Sequence, residues 1–539
     1  MNSRSAWPGS GEDAFAMRRA GSTIAVGITV AVWLGAAAAA SPAGVITRDL
    51  ERAMAARGTH ADTAVIVRFA DPVDHQPLVV SDRRARDGRL LVALKARQAR
   101  NRAAIEPFFG ALGAVRVRDL WIINGVSAIL PAVAVKQLAG QGGIERIDLD
   151  SFVQGGRSQR TPAPRTPRQG VAPHTVESTP FAVSDSAKPA SPATPGWNVA
   201  AVHAAEVWAL GHTGRGVVVA SMDTGVDLAH PDLRRKWRGG ANSWFDPHGE
   251  EAAPYDALGH GTQAMGVIAG GSGLGVAPDA RWIAVKLYNA DDRARMSDIH
   301  LAFQWLMDPD GDPATIDAPD IVNASWSLTG RGAGACILEF SDDIRALRSA
   351  GIAVVFAAGN DGPSPRTSNS PGNNPGVLSV GAVDRDLDVA RQTSRGPSAC
   401  DGAVFPRLVA PGVNVRTTDV SHGGLPSYAM VSGSSLAAPH VAGVLALLAG
   451  AFPAASVAEL ETALVRAARD LGDAGSDNHY GHGLVDALAA FNALRDDRRS
   501  APNGTTVLGG LADRLSMSRP LQFHTPSHDA GPWPGMPER

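Results

Sequence analysis

The chain has 539 residues, of which 44% are hydrophobic and 19% charged, with a formal net charge of -3. That length exceeds what one core usually fills, so two or three folded units joined by connectors are expected. The near-neutral balance argues against a general nucleic-acid binder, which needs a basic surface.

Arg18 and Arg19 precede an uncharged run, Ala20 to Thr47, that ends in small residues near Ala38 and Ala40. A charged start, an apolar stretch and an A-x-A-like exit read as a cleaved signal over residues 1–40, with Met17 an alternative start because Glu12 and Asp13 precede it. The run is also long enough for a retained anchor, the competing reading. Export implies an extracellular protein, or a periplasmic one in a two-membrane bacterium, with no membrane contact after signal cleavage. Cys336 and Cys400 are the only cysteines. In an exported chain one disulfide between them is the simplest expectation, two buried thiols the alternative.

Residues 41–150 read as a small α+β domain able to fold alone. Thr63 to Phe69 is strand-like, Leu90 to Phe109 has helical spacing, and Asn124-Gly125 between LWII and VSAIL predicts a tight hairpin. A helix near Val133 to Leu138 and a strand from Ile144 to Leu149 complete a β-α-β-β-α-β order. Residues 151–196, rich in Ser, Thr, Pro and Arg, read as an exposed connector that cannot bury enough surface to order itself.

From Trp197 to residue 497 strands alternate with helices, which predicts an α/β unit with a mostly parallel sheet covered on both faces. The strand runs are Val217 to Ser221, Ile321 to Ser325, Ile352 to Ala358 and Val377 to Val383. Ile337, Phe340, Ile344 and Leu347 recur at helical spacing, and Ser456 with Glu459 forms a capping-box signature. Residues 498–539 read as a loose tail.

Three segments of this unit each carry one reactive side chain in a Gly-containing turn at an element end. Asp223 follows a strand, at the edge where open α/β sheets place ligands. His260 and Ser435 each open an apolar helix. A Ser hydroxyl becomes a nucleophile when an imidazole accepts its proton, and that imidazole needs a carboxylate to fix its tautomer. A helix start offers the Ser435 N–H to a developing oxyanion, and Asn360 follows another strand as a second donor.

The stretches VVVASMDTGVDLAHPDL, GHGTQAMGVIAG, FAAGNDGP and SGSSLAAPHVAGVLALL resemble the Asp, His, oxyanion-Asn and Ser motifs of the subtilisin-like serine peptidases. The wording GVAPDARWIAVK, IVNASWS and HYGHGLVDALAAFNAL resembles the bacillopeptidase F type within that family. The chain order Asp, His, Ser is the family's own and follows from the match. The resemblance implies a subtilisin-like fold and an endopeptidase forming an acyl-enzyme: Ser435 as nucleophile, His260 as proton carrier, Asp223 orienting it, Asn360 and the Ser435 N–H holding the oxyanion. It implies that Ser325, Trp326 and Ser327, with Ala357, Ala358 and Gly359, flank an extended peptide, Trp326 walling an apolar subsite or else packing in the core. It implies a monomer whose partners are protein or peptide substrates and its own inhibitory propeptide, residues 41–150.

Gln263 stands where the family usually has His, and Ser434 where it usually has Thr. Neither position carries the proton transfer. Asp232 matches a calcium ligand of the family, but the loop that supplies others is cut to residues 270–275, and a hard cation needs six to eight oxygens. That calcium site is expected to be absent, calcium elsewhere staying open, and no metal or cofactor is required for catalysis. His230, His440 and His482 are read as structural, and Asn369 as nearing the floor of the P1 pocket.

Overall fold

The computed structural model describes residues 44–58, 60–71, 88–155, 159–160, 194–328 and 333–500. The signal-like segment, most of the connector and the tail from residue 501 lie outside the described residues.

The first sheet is built from β1 (Val45–Ile46), β2 (Asp62–Phe69), β3 (Val115–Leu120), β4 (Gly125–Pro131) and β5 (Ile144–Leu149), in the order β1-β5-β2-β4-β3. Its helices are α1 (Arg48–Arg57), α2 (Arg89–Ala111) and α3 (Ala132–Ala139). The expected β-α-β-β-α-β order is present from β2 to β5, preceded by β1 and α1, which the sequence reading did not foresee. β2 is central and buried on both faces: Val65, Val67 and Phe69 enter one cluster with Phe109 and Leu130, while Ile66 enters another.

The hairpin differs from the expectation. β3 ends at Leu120, Trp121 to Ile123 make one turn of 3₁₀ helix, and Asn124 adopts a left-handed φ of 53° before β4 begins. LWII is therefore mostly connection rather than strand. Burial decides this: Ile122 and Ile123 turn into a core, and the Ile122 N–H donates to Gln304 at 3.2 Å.

That core is shared with the large unit. Ile66, Leu90, Leu94, Leu120, Ile122 and Ile123 cluster with residues of α8 (Met296–Met307) and α9 (Ser341–Ser349). Ion pairs frame the contact: Arg68 with Glu339 at 2.8 Å, Arg118 with Asp298 at 2.8 Å, and Lys95 with Asp308. One face of the small sheet thus closes a core of its own, and the other completes its burial against the neighbouring unit.

The connector also begins later than expected. Asp150 is buried and accepts from the N–H and hydroxyl of Ser297 at 3.0 and 2.8 Å, at the start of α8. β6 (Phe152–Gln154) then pairs antiparallel with β11 (Arg293–Arg295), and Val153 is only 4% exposed. A further two-residue strand, β7 (Gln159–Arg160), pairs with β17 (Leu425–Ser432).

After α4 (Trp197–Ala201) and α5 (Ala204–Ala209) comes the main sheet: β8 (Val218–Asp223), β9 (Trp244–Phe245), β10 (Arg281–Lys286), β12 (Ile321–Ala324), β13 (Ala353–Ala357), β14 (Leu378–Val383) and β15 (Leu408–Pro411). Its order is β15-β14-β13-β12-β8-β10-β9, and every pairing is parallel. Strand order reverses beside β8, so the crevice lies at the carboxyl ends of β8, β12 and β13. α8 and α9 share a cluster with one face of the sheet; α7 (His260–Ala269) and α10 (Ser434–Ala451) contribute Met265, Ile268, Val441 and Leu445 to the cluster on the other. α10 is long and apolar enough to cross a membrane, but 89% of it is buried, as in a core helix. β16 (Val415–His422) hairpins onto β17, α11 (Val457–Arg466) carries the Ser456–Glu459 capping box, and α12 (Ala487–Ser500) ends the described chain. Cys336 and Cys400 are disulfide-bonded, with Cα atoms 4.8 Å apart.

Candidate active site

Asp223 closes β8 with 1% exposure. Its Oδ1 accepts from the Thr224 N–H and from His260 Nδ1, both at 2.7 Å, while Oδ2 is buried with no partner among the described residues. His260 opens α7. Gly261 allows the approach, because a Cβ there would lie 2.1 Å from the Gly225 carbonyl oxygen. Burial disfavours the imidazolium, but the charge and hydrogen bond of Asp223 outweigh it, with Asp256 and Asp292 adding to them, so the His260 pKa rises above its ordinary value.

Asp256 fixes this pair and was missed by sequence reading. One of its oxygens accepts from the Thr224 hydroxyl at 2.9 Å and the Gly259 N–H at 2.7 Å; the other accepts from Thr262 N–H and hydroxyl at 2.9 and 2.7 Å. The residue after Asp223 and the turn before His260 are thereby tied to one buried carboxylate. An Asp four residues before His260 was the available signal.

Ser435 is the second residue of α10 and 6% exposed. Its carbonyl accepts from Ser325 Oγ at 2.7 Å, and Ser325 Oγ in turn accepts from Asn323 Nδ2 at 2.9 Å. Asn360 Oδ1 accepts from the Ser434 N–H at 2.9 Å and the Ser434 hydroxyl at 3.1 Å, and Ser434 Oγ accepts from the Gly359 N–H at 3.1 Å. With Oδ1 so engaged, the Asn360 amide donor is oriented. Gly433, at φ 153°, keeps a space beside it: a Cβ there would lie 3.0 Å from Ser435 Oγ and 3.4 Å from Asn360 Nδ2. An oxygen in that space would face both the nucleophile and the donor. No hydrogen bond joins His260 Nε2 to Ser435 Oγ among the described residues, a looseness common before substrate binds.

The structure therefore brings Asp223, His260, Ser435 and Asn360 to one sheet edge. Of the expected peptide-flanking residues, Ser325 uses its side chain to anchor α10, Ser327 is 9% exposed beyond β12, and Ala357, Ala358 and Gly359 run from the end of β13 toward Asn360. Trp326, with residues 152–155 in place, is buried edge-on to Phe340 and Phe356, at centroid distances of 6.1 and 5.4 Å. The wall of an open subsite is here part of the core cluster that also receives Val153. Asn369 lies beneath Gly359 and donates to Asp361 at 2.6 Å and Ser394 at 3.0 Å.

The departures from the family pattern have partners too. Gln263 donates to Asp419 at 3.1 Å, and Ser434 supplies the bonds just described. His230 caps the short helix α6 (Pro231–Arg234) and bonds the Ser427 carbonyl at 2.9 Å. His440 is wholly buried against Asn198 and the Leu436 carbonyl; burial drives its pKa down to about 4, so it is neutral. Asp232 accepts from the Tyr428 hydroxyl at 2.8 Å, and among the described residues the acidic groups close enough to share a cation are instead Asp308, Asp310 and Asp317, where Asp308 already pairs with Lys95.

Comparison with known proteins identifies the family. The subtilase family (Peptidase_S8) matches residues 214–483. Bacillopeptidase F of Bacillus subtilis (strain 168) is 38% identical over 361 residues, covering 62% of this chain, which spans 24% of that relative's length. Subtilisin BL of Lederbergia lenta is 35% identical over 298 residues, 54% of this chain and 97% of that protein. Among solved structures, fervidolysin from Fervidobacterium pennivorans, a keratinolytic enzyme related to subtilisin, superposes with a TM-score of 0.58 at 21% identity, covering 87% of this chain and 65% of that one. The sheet order, the four motifs at its carboxyl edge and the extent of the match together place the chain in the subtilase family of serine endopeptidases.

Proposed function

We propose that this chain is an exported endopeptidase, made as a zymogen, that hydrolyses peptide bonds through an acyl-enzyme on Ser435. The observation that carries the reading is the gathering of Asp223, His260, Ser435 and Asn360 at the carboxyl edge of the main sheet, with Ser435 Oγ and Asn360 Nδ2 beside Gly433. His260, held through Nδ1 by Asp223, takes the Ser435 proton at Nε2 as Oγ attacks the carbonyl, then delivers it to the leaving amine. The oxyanion forms between Asn360 Nδ2 and the Ser435 N–H, one of the helix-start donors without an intrahelical partner. Water then attacks the ester with His260 again as base. No metal enters these steps, so a chelator is expected to leave the rate unchanged.

The zymogen reading is supported by the path of the chain after the small sheet. β6 adds to β11 as a substrate strand would, and the Gly155 N–H donates at 2.9 Å to the carbonyl of Asp292, the residue whose side-chain charge reaches His260. β7 pairs with the end of β17, just before Gly433 and Ser435. First self-cleavage is therefore expected between Gly155 and Gln159. The test is N-terminal sequencing of purified protein: wild type should start within that window while Ser435→Ala stays full length, and equal trimming of both would remove self-processing. A catalytically silent peptide binder is the contrasting class. A fluorophosphonate should label Ser435 in the matured protein, and absence of labelling would favour that class.

A further inference from the structure

β6 against β11 exposes one face and buries the other. In the register Arg293 opposite Gln154, Ala294 opposite Val153 and Arg295 opposite Phe152, Val153 and Ala294 point inward and belong to one buried apolar cluster with Met296, Ile299 and Trp326. Phe152 points outward and is 43% exposed, yet it is not alone: the guanidinium carbons of Arg293 and Arg295 sit 3.9 and 4.1 Å from its ring centroid. Residues two apart on a strand share a face, so the two arginines form a pair of jaws around one aromatic ring. Arg295 also donates to the Asp150 carbonyl at 3.0 Å, which holds its jaw along the incoming backbone. The Arg293 guanidinium makes no hydrogen bond or ion pair among the described residues, which leaves it for whatever lies in the Phe152 position.

We propose that Arg293 and Arg295 form an aromatic-binding subsite for protein substrates, one residue upstream of a buried aliphatic position. Resting on the peptidase reading above, this gives the enzyme a preference for an aromatic residue followed by a small β-branched one, the pattern of Phe152-Val153. Once the chain's own segment leaves, a substrate strand adding to β11 meets the same two guanidinium faces and the same inward pocket. Selection comes from the cations stacking on an aromatic face, which an aliphatic residue cannot offer.

The experiment uses the full-length protein after self-processing, its active sites counted by fluorophosphonate labelling, and internally quenched peptides carrying the sequence of residues 150–160 with Phe, Ala or Glu at the Phe152 position. Wild type is expected to cleave the Phe peptide about tenfold faster in kcat/KM than the Ala peptide, the size two exposed cation–π contacts support. The Arg293→Ser/Arg295→Ser variant should cleave the two equally, at the wild-type rate for the Ala peptide. If that variant does not fold, Arg293→Ser alone should lose part of the discrimination. Equal rates for Phe and Ala in wild type would overturn the subsite, and so would faster cleavage of the Glu peptide, which would make the arginines an acid-binding pair. Labelling without cleavage of any peptide would overturn the endopeptidase reading itself, a separate failure.

Discussion

Among the described residues two histidines lie buried beside carboxylates, and the proposed mechanism uses only one of them to move protons. His260 bonds Asp223 through Nδ1, and its Nε2 has no hydrogen-bond partner among the described residues. His300, in α8 under the small sheet, has both nitrogens engaged: Nδ1 with Asp343 at 2.8 and 2.9 Å, Nε2 with Glu339 at 3.1 Å. Burial lowers its basicity, but the charge of Asp343 and the bonds to both carboxylates prevail and raise its pKa to about 9. A doubly held imidazolium is an ion-pair component; an imidazole held at one nitrogen keeps the other for a proton. The difference lies in one free nitrogen rather than in the depth of burial.

Removing the ends of the catalytic relay should show the largest effect. Ser435→Ala or His260→Ala is expected to lower kcat about a millionfold, a figure carried over from a subtilisin, measured on variant protein matured in trans by wild type. Asp223→Asn keeps the shape but loses the tautomer, with a fall of about ten-thousandfold by the precedent of another serine protease. Asn360→Ala should cost about a hundred- to a thousandfold in kcat with little change in KM, again the subtilisin precedent.

The pH profiles sharpen the contrast. Because Asp223 raises the pKa of His260, the acid limb of kcat/KM should fall at an apparent pKa above about 6.5, the ordinary value for His; a limb below that value would contradict the described pair. His300 instead acts on stability. Its folded pKa is raised, so its contribution is complete below about 6.5 and is lost as pH climbs through about 9. Thermal melts of full-length Ser435→Ala protein should therefore weaken across that window, by roughly 1–3 kcal/mol. His300→Gln should flatten the slope while leaving kcat/KM of the matured enzyme unchanged.

The main sheet and its reactive edge were legible because each reactive residue sits where a strand or helix changes in the sequence itself. Strand runs and turn glycines mark those points without reference to distant residues. His300, Asp256 and Arg293 escaped because their roles arise from partners many residues away, Asp343, Thr224 and Phe152 respectively, and no periodicity announces such meetings. LWII was misread for a related reason: an apolar run says that it will be buried, not whether it will be straight. The connector was only half read, since Val153 is a lone aliphatic residue whose pocket belongs to another part of the chain.

α10 carries the proposed nucleophile, Ser435, at its first turn and runs for 18 residues. At about 1.5 Å per residue it is a shaft some 27 Å long, clamped along nearly its whole length. Amide hydrogens on such a shaft exchange with solvent only when the surrounding body opens. The reactive hydroxyl is thus mounted on the part of the protein that should be last to let go, and inactivation on heating should track global unfolding rather than a local softening of the cleft.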